Sequence, residues 1–207
     1  MSLSGVVYEL ALAHLLSGIF GNTFLRYSVS IGFFLLSSGL GSIFYSQLKA
    51  KDAVLTLAVV EILLTLLVAI GFPLALILTL SSTGSAYLFI HFCIFAVGFL
   101  TGLELPIVLS FEPVDNHRYQ SSILHYDFLG SGLAGIIFGI ALYPWFGIFE
   151  TVYFIALINS LVAMMLLINR SKWRALGVGL FVLMVALVAQ VNTISSFAIR
   201  AYENSSN

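Results

Sequence analysis

The chain has 207 residues, 60% of them hydrophobic and only 8% charged, with a mean hydropathy of +1.10. Eight Lys and Arg against nine Asp and Glu leave a net charge of −1, which argues against nucleic acid or another polyanion as partner. This composition excludes a water-soluble domain and leaves one polytopic membrane domain over residues 1–201, with the lipid bilayer as surroundings and a disordered polar tail over 202–207.

A bilayer core takes about 20 apolar residues per helix. Seven stretches meet that length, at about 3–20, 27–48, 53–77, 86–110, 122–142, 148–169 and 175–199. Exposed strands are excluded, because lipid cannot satisfy their backbone groups. The expected fold is therefore an all-α bundle of about seven transmembrane helices. The first stretch has no basic leader and carries Glu9 and His14, so it reads as a retained helix and not a signal peptide. The second contains Gly39 and Gly41, the third Glu61 and Pro73. The fourth contains His91, the single Cys93, Gly98-x-x-x-Gly102, Glu104 and Pro106. His14 and His91 read as satisfied core histidines, and one cysteine forms no intramolecular disulfide.

The fifth stretch organises the chain. It opens on His125, Tyr126 and Asp127, continues through Gly130, Gly135 and Gly139, and closes at Pro144 and Gly147. Small residues let helices approach closely in lipid, so Gly39, Gly41, Gly98, Gly102, Gly130, Gly135 and Gly139 are expected to be packing positions. The same seams are candidates for a homodimer face. Trp145 and Trp173 sit near helix ends, as interface anchors do.

Lys49, Lys51, Arg118, Arg170, Lys172 and Arg174 fall in alternate loops, which places those loops, and the N-terminus, inside. With seven helices the C-terminus is then outside. In this topology Glu9, Glu61, Glu104 and Asp127 all lie about 8–12 Å from the inner ends of their helices. Four acids on four helices thus share one layer. An acid in a membrane is costly and marks a functional site by default. Tyr8, His125 and Tyr126 adjoin the layer and can hydrogen-bond a carboxylate or relay a proton. Almost no basic residue reaches that depth, so the acids must be protonated, hydrogen-bonded, hydrated or paired with a cation. The bland reading is that each merely joins helices. Ser38-Gly39-Leu40-Gly41 and Ser131-Gly132-Leu133-Ala134 suggest a 3+3 inverted repeat plus one helix. No zinc spacing, phosphate-binding Gly loop or nucleophile elbow is present, so no catalytic residue, metal or cofactor is expected.

Four stretches carry a family resemblance: Gly5-Val-Val-Tyr8-Glu9-Leu; Gly21-Asn22 with Tyr27-Ser28 through Gly39-Leu-Gly41-Ser42; Gly102-Leu-Glu104-Leu-Pro106; and Tyr126-Asp127-Phe-Leu-Gly130 with Pro144 and Gly147. Over residues 3–169 the chain resembles the multipass membrane domain of bacterial membrane-bound spermidine synthase homologues. The resemblance implies a cell inner membrane location and a soluble aminopropyltransferase-like partner domain, for which this sequence has no counterpart. No synthase activity is therefore expected of it. The resemblance also implies a C-terminus inside, where the charge count places it outside.

Three functions follow. The first is binding or transport of a small cationic solute, such as a polyamine, through Glu9, Glu61, Glu104 and Asp127 with Tyr8, Tyr126 and His125. The second is an anchor and oligomerisation module for a partner enzyme such as an aminopropyltransferase. The third is a membrane-embedded lipid or quinone enzyme.

Overall fold

The computed structural model describes residues 3–47, 52–111 and 117–191, and all regular structure among them is helical. Helix α1 is Leu3–Phe20, α2 Thr23–Gln47, α3 Ala53–Ser81 and α4 Thr83–Leu109. Helix α5, His117–Ile137, runs through a π-helical turn at Phe138–Leu142 into the short α6, Tyr143–Phe146, as one rod. Helix α7 is Ile148–Leu167 and α8 is Arg174–Ala189. Six of these seven rods are long and apolar enough to cross a membrane, while α8 is shorter. The part of the last expected helix beyond Val191 lies outside the described residues, as do Lys49, Lys51 and the tail.

The joints explain where the helices differ from expectation. Ser82 ends α3 by donating its N–H to Leu78 O (3.0 Å) and starts α4 by accepting from Ser85 N through its hydroxyl (3.4 Å). One residue with both roles replaces the loop expected over 78–85. Asn22 caps α2 by accepting from Leu25 N at 3.3 Å, which starts that helix at Thr23 and not at 27. The fifth rod ends only at Gly147, whose φ of 86° suits glycine and turns the chain into α7. Pro144 lies inside this continuous rod, two residues past the π-helical turn, and donates no backbone hydrogen bond to the turn before it.

Helices α1 and α4 occupy the middle. α1 touches α2, α4, α5 and α7; α4 touches α2, α3, α1 and α5; α3 packs on α7 and α7 on α8. The α2–α4 pair has the most extensive contact. There Gly41 lies against Phe99 O, Gly98 against Ser37 and Phe34, and Gly102 against Ser38 O, so close that a methyl group at any of them would collide. The fifth rod is the opposite case. It is the least buried of the long helices, covered mainly by α1.

Two polar ties fix one end of the bundle. Asp52 accepts from Leu55 N at 3.1 Å, capping α3, and forms a two-pronged ion pair with Arg170 beyond α7. Tyr45 and Ser110 hydrogen-bond at 2.9 Å, joining the ends of α2 and α4. Arg118, Arg170, Lys172 and Arg174 all lie at this end, which holds the start of α1 and α5 as well.

Candidate functional site

Glu61 and Glu104 come from α3 and α4, and Tyr8 from α1. The two carboxylates lie within electrostatic reach of each other, and Tyr8 within reach of both. Glu61 is 7% exposed, Glu104 5% and Tyr8 wholly buried. A fourth helix joins them: Asn159 of α7 donates through Nδ2 to the Tyr8 hydroxyl at 3.4 Å. The Tyr8 O–H is thus supported from behind and retains its own hydrogen for a nearby acceptor.

The local sequence explains the convergence. Gly5 lets α1 approach α4 so closely that a Cβ there would stand 2.5 Å from Thr101 Cγ2. Tyr8 follows Gly5 by three residues, and Glu104 follows Thr101 by three, so each pair shares a helix face. That approach delivers the Tyr8 ring to the acid. On α3, Thr65 donates its hydroxyl to the Glu61 backbone O at 2.8 Å. Among the described residues, the buried Glu61 Oε2 and Thr101 Oγ1 have no hydrogen-bond partner. Burial without a partner is expensive for a hydroxyl and much more so for a carboxylate. The arrangement therefore demands a proton or a cation.

The other expected site residues are placed differently. Glu9 is buried at 7% exposed, one position round α1 from Tyr8. Asp127 is half-buried on the face of α5 that also carries the buried Ala134 and Phe138. All four acids fall in the half of the bundle nearest Asp52. His125 and Tyr126 point outward, Tyr126 being 76% exposed. His125 lines an open concavity of about 600 Å³ along α5 with Gln120, Ser121, Leu124, Phe128 and Leu129. Gly39, Gly130, Gly135 and Gly139 face open space, unlike Gly41, Gly98 and Gly102. His14 bonds Tyr27 OH through Nδ1 at 3.1 Å and His91 bonds Tyr87 O at 2.8 Å, so each has a partner.

Sequence reasoning missed Asn159 and Thr101. The available signal was the amide of Asn159 next to Ser160, and a hydroxyl at Thr101 three residues before Glu104.

No family model matches the chain, and no solved structure matches it. Curated proteins do. The chain is 31% identical over 173 residues to polyamine aminopropyltransferase 2 of Aquifex aeolicus, a match covering 79% of this chain and 33% of that protein. It is 32% identical over 168 residues to the polyamine aminopropyltransferase of Leptospira interrogans, covering 79% and 33%. With polyamine aminopropyltransferase 1 of Streptomyces coelicolor the identity is 26% over 199 residues, or 91% of this chain and 36% of that one. The chain thus spans about a third of the length of the curated relatives it matches. The resemblance read from Tyr8-Glu9, Glu104-Leu-Pro106 and Tyr126-Asp127 is borne out by these relatives.

Proposed function

Since this chain is a homologue of about one third of the bacterial polyamine aminopropyltransferases, we propose that it is a membrane domain that binds a small cationic solute between Glu61 and Glu104. The carrying observation is the buried carboxylate pair on two helices, with Glu61 Oε2 unpartnered. Every described Lys and Arg sits at or near a helix end, away from the level of Glu61. Two ionised carboxylates in a low-dielectric interior repel, and one of them must be neutralised. An ammonium group does this through charge-assisted hydrogen bonds, with the Tyr8 ring alongside for cation–π contact. The relatives' names concern polyamines, which makes a polyamine ammonium the first candidate. Glu9 and Asp127 complete the acid layer in this reading.

The bundle is proposed to cross the bacterial inner membrane, with the Asp52 end cytoplasmic. Arg118, Arg170, Lys172 and Arg174 gather there, which supports that orientation. The inverted repeat belongs to the same reading. In support, the matched positions Gly41 and Ala134 are buried, while Gly39 and Gly132 face open space.

The test is thermal unfolding of the detergent-purified protein with and without spermidine. At 100 times its dissociation constant a ligand specific for the folded state adds about 2.7 kcal/mol. The expected result is stabilisation of the wild type that Glu61→Gln abolishes. Equal stabilisation of both proteins would sink the cation site.

A second reading, an anchoring and oligomerisation module, rests on the fifth rod. Ser121, His125, Phe128, Gly132, Gly135 and Gly139 follow one another at alternate spacings of four and three, a helix-pairing seam. They lie on the side of α5 away from the buried Ala134, and the glycines among them face open space. A second copy in the same membrane runs parallel, which brings each seam residue against its own counterpart.

A further inference from the structure

The end of the bundle opposite Asp52 holds an arrangement that neither the acid pair nor the α5 seam uses. Arg26 stands in the first turn of α2, and its guanidinium lies over two rings, 5.6 Å from the centre of Phe20 and 5.1 Å from that of Tyr87. Phe20 ends α1 and Tyr87 belongs to the start of α4. The two rings meet edge to face at 5.3 Å. Three helices therefore hold one guanidinium in place. The preceding turn is fixed too: Asn22 O accepts from Arg26 N at 3.0 Å and Ser17 donates to Thr23 Oγ1 at 2.9 Å.

The inner nitrogen of that guanidinium is left over among the described residues. Arg26 Nε is buried without a hydrogen-bond partner. Ser30, one turn further along the same face of α2 and about 6 Å away along the axis, is completely buried, and its hydroxyl is also unpartnered. Arg carries five donors, no acceptor and a permanent charge. Aromatic faces stabilise that charge but accept none of its hydrogen bonds in the ring plane. A fixed planar fork with an unpartnered Nε–H matches the oxygens of a phosphate, and fixing it in advance reduces the entropy lost on binding.

We propose that Arg26, held between Phe20 and Tyr87 and backed by Ser30, binds a phosphate group at this end of the bundle. The phosphate belongs either to a phospholipid headgroup or to a free anion. Binding to the purified wild type is measured with fluorescent phosphatidylglycerol, with fluorescent diacylglycerol as the phosphate-free control and inorganic phosphate as competitor. The expected result is binding of phosphatidylglycerol but not diacylglycerol. Arg26→Gln should weaken it at least about tenfold, since the charge-assisted hydrogen bonds are lost. Ser30→Ala should weaken it by a smaller factor, and Lys172→Gln at the far end should leave it unchanged. Full competition by inorganic phosphate assigns the site to a free anion; failure to compete assigns it to the lipid. Either outcome supports the phosphate site. Undiminished binding by Arg26→Gln overturns it. Should Arg26→Gln not fold, undiminished binding by Ser30→Ala overturns it equally.

Discussion

A wholly buried tyrosine on a helix that is buried on nearly every side leaves little freedom for substitution. Tyr8→Phe keeps the ring and removes only the hydroxyl that Asn159 donates to. The expected cost is about 1 kcal/mol of stability, because the Asn159 amide is left without that acceptor. Thermal unfolding of Tyr8→Phe, Asn159→Leu and the double variant checks this. If the pair acts together, the double variant loses less than the sum of the two. The acids were legible in the sequence because a carboxylate inside an apolar span announces itself. Their grouping was not. Helix counting placed Glu9, Glu61, Glu104 and Asp127 in one layer, but depth along a helix says nothing about which way a side chain faces. The structure gathers Glu61, Glu104 and Tyr8, and turns His125 and Tyr126 outward. Asn159 and Thr101 escaped notice because one neutral polar residue in a span is common and becomes informative only when its neighbour is known.

Pairs of helices carry the next level of specificity. Glycine spacing alone suggested seven packing positions, yet neighbours decide each case. Gly102 lies directly against Ser38 O, so Gly102→Ala forces α2 and α4 apart and should cost about 1–3 kcal/mol. Gly135 faces open space, so Gly135→Leu should leave the melting temperature of the isolated protein nearly unchanged. The same Gly135→Leu variant should convert any dimer to monomer in detergent, as measured by light scattering, if the α5 seam pairs. A dimer unaffected by it would remove the seam from the anchoring reading. At the joint of α3 and α7, the Arg170 hydrogen bonds to Asp52, with help from Leu55 N, hold the Asp52 carboxyl below the usual carboxylate range. A depressed folded-state pKa adds stability that is complete above the ordinary value and is lost as pH falls through the folded one. The wild type should therefore lose stability on acidification below about pH 4 through this group, and Asp52→Asn should lack that component. Unfolding at a series of pH values compares the two. Hydropathy does not see the helix ends that single capping residues decide, Asn22 at the start of α2 among them. Ser82 closes α3 and opens α4 with no loop between, and hydropathy cannot see a junction one residue long.

Considered entire, the bundle divides its polar groups between two ends and one buried level. The Asp52 end is tied by ions, and the Arg26 end by aromatic rings: His14 with Tyr143 at 4.3 Å, Tyr87 with His91 at 4.2 Å, Phe20 with Tyr87. Trp145, 77% exposed, and Trp173, 42% exposed, lie toward opposite ends, where anchoring at two membrane surfaces would require them. An all-helical fold of this size was legible from composition alone, since lipid-compatible chains have few alternatives. The order of packing was not, because seven apolar helices can be arranged around one another in many ways. Small residues set the close approaches to α4: Gly5 brings α1 onto it, and Gly98 and Gly102 bring α2 onto it.

The clasp between Asp52 and Arg170 joins positions 118 residues apart, and Tyr153 of α7 donates to Ala69 O of α3 at 3.0 Å across 84. In synthesis, α3 emerges long before the helix that covers it. Until α7 arrives, the Asn159 support for Tyr8 is missing and the Glu61 side of the bundle stands open. The arrival of α7 is thus the step that seals the interior, and a nascent chain halted before Ile148 should expose its acids to a carboxylate-modifying reagent that the finished protein resists.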